Sequence, residues 1–559
     1  MHNKLLLATA MVIIPLLGFS QFLQNKATFT HADTLRGSDN ARRKWWNVLH
    51  YAITVNPDFD SKTIQGKVTI QYAVVKPVNT MQVDLQQPLE VDSIVHQKRS
   101  ISFIRTDNVI FIKNLPVHRL GAHDSITVYY HGKPREAVRP PWDGGWIWKT
   151  DFLNRPWMTV ACQGLGASVW YPCKDYQGDE PDNGATLTII APDTLMAVGN
   201  GRLIYSGKTS FNKKKYTWQV VNPINNYDII PYIGKYVNKK DTLMGANGLL
   251  TLQYWVLDYD SSIAWQQFKQ VKPMLRAFEY WFGPYPFYED GYQLVQAPYL
   301  GMEHQSAVAY GNHFKNGYLG RDLSGTGWGL RWDFIIIHES GHEWFGNSIT
   351  TKDVADMWVH EGFTNYSETL FTEYYYGKEA GTDYNLGSRK NIVNDKPIIG
   401  PYGVNKEGSS DMYYKGSALI HSIRHSMHND VLFRIILRGL NKVFYHQTVT
   451  TAQIENYINQ YAGFNYQYVF NQYLRTTQIP VFEYAVDSMK HSIRYRWSNC
   501  LPQFNLPLSL WNENGMQIKI YPTTQWKIIT VQQNQIGLFN QTLIERLYYV
   551  QTKLLCYNH

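Results

Sequence analysis

Residues 335–347, IIIHESGHEWFGN, run from three isoleucines directly into two histidines and two glutamates. Burying ionisable groups is costly unless they are paired or bind a metal ion. On a helix, His338 and His342 are four residues apart and lie on the same face, where two imidazoles can bind one metal ion. Glu339 lies one step further round, close enough to reach a water molecule without being a ligand. The stretch therefore predicts a buried helix that carries a metal site.

A third metal ligand is expected from a second helix. Catalytic zinc usually takes three protein ligands and keeps one position open. Eighteen residues separate His342 from Glu361, which lies in the block Trp358 to Phe363. This spacing is similar to that of the gluzincin metallopeptidases. We therefore predict one zinc ion per chain, with His338, His342 and Glu361 as its ligands.

Two histidines, one glutamate and an open position suit hydrolysis. Zinc can activate a water molecule and polarise the scissile carbonyl. Glu339 is then expected to take the proton of the water and pass it to the leaving amine. Glu343, next to His342, is expected to border the site or to lie at the surface. Peptide bonds are the substrate that this arrangement suits best.

Further motifs indicate which peptidase family is involved. The chain resembles the aminopeptidase N family, which includes leukotriene hydrolase-like members, over most of residues 45–480. The resemblance rests on the zinc-helix stretch, the Trp358 block and three short motifs: Leu300-Gly301-Met302-Glu303-His304, Trp344-Phe345-Gly346-Asn347 and Tyr413-Tyr414-Lys415-Gly416.

The resemblance implies roles for five more residues. Glu303 would bind the free α-amine of the substrate, which would make the enzyme an aminopeptidase acting on peptides with a free N-terminus. Gly301 and Met302 of the same motif would line the substrate site. Tyr413 would donate its hydroxyl to the tetrahedral oxyanion. Gln163, in Ala161-Cys162-Gln163-Gly164, resembles the glutamine of the first side-chain pocket.

The sequence also departs from the family pattern. His304 and His360 stand where the family usually has asparagine, and Tyr414 stands where it has glutamate. None of these changes removes a ligand, the base or the amine anchor, so they bear on substrate preference. The chain also ends without the long α-helical C-terminal domain of larger members, and we expect a more open cleft that admits longer peptides.

The pattern along the chain predicts a multi-domain α+β protein. Period-two alternation indicates an all-β domain over 45–245, helical patterns dominate 246–478, and β patterns return over 479–559. Residues 292–298 are predicted to form a strand that Pro298 places at a sheet edge. The family resemblance names the three parts as a β-saddle, a thermolysin-like catalytic domain and a small β-sandwich.

The N-terminus predicts export. Residues 1–20 have an early cation at Lys4, an apolar run to Leu17 and the small residue Ser20, as is typical of a secretory signal peptide. An uncleaved anchor stays open, although the apolar run is shorter than the roughly 18 residues of a membrane span. Residues 21–44 are predicted to be a linker. We expect a periplasmic, cell-surface or extracellular protein without a stable membrane span.

The composition indicates the class of protein and the kinds of partner to expect. Hydrophobic residues make up 44% and charged residues 18%, which is typical of a globular protein. The net charge of +8 is mild, and the longest basic run, Lys213-Lys214-Lys215, suits a solvated turn. No nucleic-acid partner is expected. Cys162 and Cys173 could form a disulfide or remain free thiols, and the sequence leaves the oligomeric state open.

Three alternatives remain at this point. A zinc endopeptidase on the same catalytic domain would not need a free amine, and Glu303 argues against it. An epoxide hydrolase with aminopeptidase activity would use the same zinc site and a narrow lipid channel. A zinc-stabilised binding protein would close its site with a fourth protein ligand, whereas this sequence retains Glu339 and Tyr413.

Overall fold

The computed structural model describes residues 30–77, 80–113, 115–116, 119–210, 212–512 and 514–556. The predicted signal peptide and the first part of the predicted linker lie outside these residues. The described chain is an α+β structure with a β-rich N-terminal part and a mainly helical part that follows it. This confirms the predicted fold class. Within the described residues, no helix combines the length and the apolar composition that crossing a membrane requires.

The N-terminal part is built from three sheets and one short helix. An eight-stranded sheet has the order β13-β14-β11-β1-β2-β8-β4-β5, a four-stranded sheet the order β12-β15-β10-β9, and a small sheet the order β3-β7-β6. The elements are α1 (His31–Gly37), β1 (Trp46–Asp58), β2 (Thr63–Val74), β3 (Met81–Asp84), β4 (Glu90–His96), β5 (Arg99–Ile101), β6 (Phe103–Thr106), β7 (Val109–Ile112), β8 (His123–Gly132), β9 (Gly145–Thr150), β10 (Pro156–Ala161), β11 (Ala185–Pro192), β12 (Met196–Val198), β13 (Arg202–Ser210), β14 (Lys213–Val220) and β15 (Tyr232–Gly234).

Alternation explains how these strands pack. In β2, Val68, Ile70, Tyr72 and Val74 are buried while the residues between them are not, as the period of two requires. The last part of the predicted linker is structured as well. Its helix α1 begins at a Thr30 cap, and the fully buried Arg43 forms an ion pair of 2.5 Å with Asp84. Arg43 therefore ties the end of this segment to the N-terminal part, whereas no residue of α1 is buried.

The central part combines one five-stranded sheet with nine helices among the described residues. The sheet order is β16-β17-β18-β20-β19, and β21 and β22 form a separate parallel pair. The elements are β16 (Tyr236–Gly245), β17 (Gly248–Leu257), α2 (Ser261–Gln267), α3 (Val271–Phe282), β18 (Tyr292–Gln296), β19 (Gly301–Met302), β20 (Val308–Tyr310), α4 (Phe334–Gly341), β21 (Ile349–Thr351), α5 (Trp358–Tyr376), α6 (Lys378–Ser388), α7 (Tyr414–Met427), α8 (Asp430–Val443), β22 (Gln447–Val449), α9 (Thr451–Tyr461) and α10 (Gln467–Arg475).

The position of one strand in this sheet differs from the expectation. The strand predicted at 292–298 is not an edge strand, because β18 ends at Gln296 and pairs with β17 on one side and β20 on the other. Pro298 lies beyond the strand and removes no ladder hydrogen bond. The β16–β17 hairpin, whose turn contains residue 246, also belongs to this sheet.

The C-terminal part contains a four-stranded sheet, a two-stranded sheet and one helix. The larger sheet has the order β27-β24-β23-β28, and β25 pairs with β26. The elements are β23 (Val481–Asp487), β24 (Ser492–Ser498), β25 (Leu508–Trp511), β26 (Gln517–Ile520), β27 (Lys527–Thr530), α11 (Gln541–Leu547) and β28 (Gln551–Leu554). Its buried residues are continuous with the core of the helical part.

The two main cores meet near β18–β20. Val295, Tyr299 and Met302 pack with the N-terminal core, whereas Leu294 and Val308 pack with the helices. The sheet therefore faces a different core on each side, and β19, at its edge, lies where the two parts of the protein meet. All four cysteines fall within the described residues and are free thiols, so Cys162 and Cys173 are not bridged.

Candidate active site and metal centre

Helix α4 carries the two histidines of the predicted metal site. Asp333 caps its first turn by accepting hydrogen bonds from the backbone amides of Ile335 and Ile336. All eight residues of α4 are buried, so its position is fixed by packing on several sides. His338 lies in the helix and His342 follows its last residue in helical conformation. Their side chains therefore share one face, as the sequence predicts.

Glu361, in the first turn of α5, brings its carboxylate to both imidazoles. Its Oε2 lies 3.3 Å from Nε2 of His342 and 3.7 Å from Nε2 of His338. Two ligands at zinc distances of 2.0–2.1 Å in a tetrahedron are about 3.3–3.4 Å apart. Glu361 Oε2 is buried and has no hydrogen-bond donor. The separation, the burial and the donor types all fit a zinc ion held by these three residues.

The opposite nitrogen of each histidine has its own partner. His338 Nδ1 lies 2.7 Å from Oε1 of Glu368, and His342 Nδ1 lies 3.0 Å from the backbone oxygen of Phe345. Both acceptors require the proton to be on Nδ1 and leave Nε2 with a lone pair that faces Glu361. This is how proteins commonly orient histidine ligands of a metal.

Glu339 lies on the same helix, and its carboxylate is close to a second set of side chains. Its carboxylate lies within 4.8 Å of ligand atoms of Glu303 and His342. Burial, opposed by His338 and reinforced by the charge of Glu303, raises the pKa of Glu339 to about 7. A carboxylate with a pKa near neutrality is well matched to accept and return a proton.

Gly301, in the edge strand β19, allows this carboxylate to approach the backbone. A β-carbon at position 301 would lie 2.9 Å from Oε1 of Glu339 and 2.8 Å from Cγ2 of Ile335. Any side chain there would push against helix α4 or the Glu339 carboxylate. Met302, the second residue of β19, is buried against the N-terminal core.

Glu303 is held by side chains from distant parts of the chain. Gln163 Nε2 donates to its Oε1 at 2.5 Å and the Tyr227 hydroxyl donates to the same oxygen at 3.1 Å. Asn347 Nδ2 donates to its backbone oxygen at 2.8 Å. Both side-chain donors use Oε1, so they orient the carboxylate without occupying Oε2.

Tyr413 lies beside His338. Its ring stacks on that of His338 with the centroids 6.1 Å apart. Burial raises the pKa of Tyr413 well above its usual value, and the charge of Glu361 raises it further. The hydroxyl therefore keeps its proton and can donate a hydrogen bond.

One cavity of about 520 Å³ connects these groups. All nine residues singled out from the sequence line it: Gln163, Gly301, Met302, Glu303, His338, Glu339, His342, Glu361 and Tyr413. The two histidines that stand where the family usually has asparagine make contacts with other residues. His304 Nδ1 lies 2.6 Å from the Tyr232 hydroxyl, and His360 Nε2 accepts a hydrogen bond from the Thr351 amide.

Several functional neighbours were missed by sequence reasoning. Glu368 lies seven residues after Glu361, two helical turns along the same face of α5, and this spacing could have indicated it. Asp333 directly precedes the apolar run, as an N-cap residue should. Tyr227 and Glu407, which also lines the cavity, have no local signal. Glu343 does not reach the surface: it is fully buried and accepts a hydrogen bond from the Ser306 amide.

Residues 267–473 match the sequence profile described as Peptidase family M1 domain. Those residues include the three predicted metal ligands, Glu303, Glu339 and Tyr413. Residues 267–473 form a peptidase family M1 domain. The predicted family resemblance is confirmed.

Individual relatives of this M1 domain protein are distant. Leukotriene A-4 hydrolase of Xenopus laevis is 24% identical over 327 residues, covering 55% of this chain and 50% of that protein. Aminopeptidase N of Lactobacillus helveticus is 23% identical over 455 residues, covering 73% of this chain and 48% of that protein. The chain spans about half the length of the curated relatives it matches.

A solved structure shares the architecture over a larger part of its length. It is an M1 zinc metallopeptidase variant from Deinococcus radiodurans, crystallised with a Tyr-Ser-Ala substrate. The likeness has a TM-score of 0.64 at 19% identity and covers 78% of this chain and 95% of that chain. At this identity the similarity shows a common fold.

Proposed function

We propose that this protein is a zinc-dependent aminopeptidase that removes the N-terminal residue from peptides. One observation carries the proposal: a buried cluster of His338, His342 and Glu361 shares a cavity with a base, Glu339, and a separate buried carboxylate, Glu303. Three ligands suit a catalytic site that keeps a position open. The M1 domain and the aminopeptidases among its relatives support the same activity.

Each residue has a distinct part in the proposed reaction. Zinc held by the three ligands would supply a Lewis acid that activates a water molecule and polarises the scissile carbonyl. Glu339 takes a proton from that water as the oxygen attacks the carbonyl carbon. It then gives the proton to the nitrogen of the departing peptide, which leaves as a free amine. Tyr413 donates a hydrogen bond to the oxyanion that forms in between.

Glu303 sets which peptide bond is cleaved. A fixed carboxylate beside the metal site attracts the α-ammonium group of a free N-terminus. Gln163 and Tyr227 position that carboxylate through its Oε1, and Gly301 and Met302 line the same cavity. With the ammonium bound at Glu303, the first peptide bond is the one that would lie beside Glu339 and the three residues that would hold zinc.

The test compares two peptides of the same sequence, one with a free N-terminus and one N-acetylated. Each is incubated with the purified protein, with and without a zinc chelator, and the products are identified by mass. We expect release of the first residue from the free peptide alone, lost on chelation and restored by added zinc. Internal cleavage, or equal cleavage of the acetylated peptide, would overturn the aminopeptidase assignment in favour of an endopeptidase.

The hydrolysis of epoxides is a second activity to be measured on the same sample. The match to leukotriene A-4 hydrolase is the observation that favours including it. A lipid epoxide incubated with the protein would yield a diol if this activity exists.

We also propose that the protein is exported, on the strength of the signal-like sequence of residues 1–20. Expression of the full chain in a bacterial host, followed by fractionation and N-terminal sequencing, tests this. Recovery of protein that starts near residue 21 outside the cytoplasm is expected. Full-length protein confined to the cytoplasm would contradict the proposal.

A further inference from the structure

A second cavity adjoins the one that holds the proposed zinc site. Its volume is about 770 Å³, and Trp142 and Leu300 line both cavities. The second cavity is bounded by residues 296–300, which precede β19, whereas Glu303 follows β19. Along the chain, the amine anchor and the second cavity therefore lie on opposite sides of Gly301, where Glu339 approaches the backbone.

This placement gives the second cavity a definite position relative to a bound peptide. The free edge of β19 is available for an extended segment, because β19 is the last strand of its sheet. Extended peptides commonly bind by lying along such an edge. A peptide whose ammonium group is at Glu303 would pass Gly301 and then Leu300. Its later residues would thus enter the second cavity.

The walls of the second cavity are strongly aromatic. Its lining includes Trp142, Phe152, Trp157, Tyr259, Tyr299 and Leu319. Phe152 is 87% exposed and Trp142 is 71% exposed, so large apolar side chains face solvent beside the proposed active site. Contiguous exposed apolar side chains of this kind mark binding surfaces in soluble proteins.

The exposed Phe152 is held in place rather than left on a loose loop. It lies at the tip of the β9–β10 hairpin, where Asp151 Oδ1 accepts hydrogen bonds from the amides of Leu153 and Arg155. Its own amide donates to the Tyr259 hydroxyl at 3.1 Å. A surface that is already ordered before binding loses less entropy when a ligand arrives.

Tyr259 also contacts Arg155, which belongs to the same hairpin as Phe152. Arg155 lies over its ring at 5.6 Å and donates two hydrogen bonds to Asp258. These contacts join the hairpin of the N-terminal part to the first residues after β17. The aromatic wall is therefore built across the junction of the two parts.

The carboxylates in this lining already have partners. Asp151 accepts from Nε of Arg155 at 2.7 Å, and Asp260 accepts from Gln296 at 2.6 Å. Neither is positioned as a free anchor for a cationic side chain. The carboxylates of this cavity therefore do not select a cationic side chain, and its aromatic residues offer an apolar surface to a substrate.

We propose that the second cavity binds the third and later residues of a peptide substrate and selects apolar or aromatic side chains there. The inference rests on the proposed aminopeptidase function and narrows its substrate class. The preferred substrates are unfolded peptides of four or more residues with large apolar side chains soon after the cleaved bond. Dipeptides and aminoacyl anilides occupy only the first cavity.

The experiment uses three substrates of the purified, zinc-loaded full-length protein. They are an alanine anilide, which has no downstream residues, and the peptides Ala-Ala-Phe-Phe-Ala and Ala-Ala-Ser-Ser-Ala. Burying part of a phenylalanine side chain in the second cavity should raise kcat/KM for the first peptide about tenfold over the second. The difference is expected mainly in KM, because these residues are remote from the reacting bond.

Two variants and one matched control locate the effect. Phe152→Ser and Trp142→Ala should each bring the ratio of the two peptides below about threefold. Ile528→Ser removes an apolar side chain that is 65% exposed in the C-terminal part, and it should leave the ratio at about tenfold. Both cavity variants remove largely exposed side chains, so both should fold like the wild type. Circular dichroism checks this.

The outcomes distinguish failure of the aminopeptidase function from failure of the role assigned to the second cavity. If the wild-type protein releases the N-terminal alanine from none of the three substrates, the aminopeptidase function itself fails. If it hydrolyses the anilide but treats the two peptides equally, the function stands and the inference is overturned. A wild-type preference that survives in both cavity variants would equally overturn the assignment to this cavity.

Discussion

Replacing Glu368 should weaken zinc binding although this residue is not itself a ligand. Its Oε1 accepts from Nδ1 of His338 at 2.7 Å and from Asn365 at 2.9 Å, and its Oε2 accepts from the Tyr384 hydroxyl at 2.5 Å. Glu368 lies on α5 and is completely buried. Its partners His338 and Tyr384 belong to α4 and to α6. Glu368 holds the His338 ring in the orientation that directs Nε2 toward Glu361.

The alanine and glutamine substitutions of Glu368 should weaken zinc binding by different amounts. A hydrogen bond to a charged group contributes about 1.5–3 kcal/mol, and loss of such a partner of a metal-bound histidine typically costs 10–100-fold in metal affinity. In Glu368→Ala the hydrogen bond and the charge are both lost, and zinc should bind about 100-fold more weakly. In Glu368→Gln the side-chain oxygen can still accept from His338, so the loss should be about tenfold.

Zinc affinity is measured directly by competition with a chromophoric chelator, and thermal unfolding of the zinc-free protein shows whether the fold survives. Glu373→Gln is the matched control. It removes a carboxylate from the same helix that pairs with Arg424 at 2.7 Å and not with His338. It should alter stability without altering zinc affinity. Zinc dissociation constants for both Glu368 variants within twofold of wild type would refute the reasoning.

Three further predictions concern the cavity itself. Glu339→Gln should lower kcat on an alanine anilide by about 10²–10⁴-fold while metal analysis still finds one zinc per chain, and a loss of zinc would contradict the role as base. Glu303→Ala should lower kcat/KM for a free peptide by about 10–150-fold through loss of a charged hydrogen bond, so the ratio of rates on free and N-acetylated peptides should fall; an unchanged ratio would argue against the amine anchor. Gly301→Ala places a methyl group 2.9 Å from Oε1 of Glu339 and should cost about 1–3 kcal/mol in unfolding free energy together with activity; denaturant unfolding and anilide hydrolysis measure both, and wild-type values would show that the strand shifts freely.

The broad architecture was predictable because alternation and helical periodicity are local properties. The buried positions of β2 follow the predicted period of two, and α4 and α5 lie where the predicted metal ligands required helices. The position of β18 within its sheet was predicted wrongly. Strand order depends on which segments pair after the chain has folded back, and a proline two residues beyond the strand carries no information about that.

The candidate site divides in the same way. His338, His342 and Glu339 could be assigned together because i, i+4 spacing places two side chains on one helical face. Glu361 and Glu303 followed from spacing and motif resemblance. Glu368 was within reach of the same periodicity, but only the packing of α5 against α4 shows that it meets His338.

The sequence by itself determined the kinds of chemical group in this protein and the local elements that carry them. Two imidazoles and a carboxylate lie on one buried helix, and a second carboxylate lies on the next helix. Only the tertiary structure decided what surrounds those groups. Gln163 reaches Glu303 across 140 residues, and Phe152 meets Tyr259 across 107. Such contacts depend on how two separate hydrophobic cores pack together, and no periodicity in a local stretch of sequence records that.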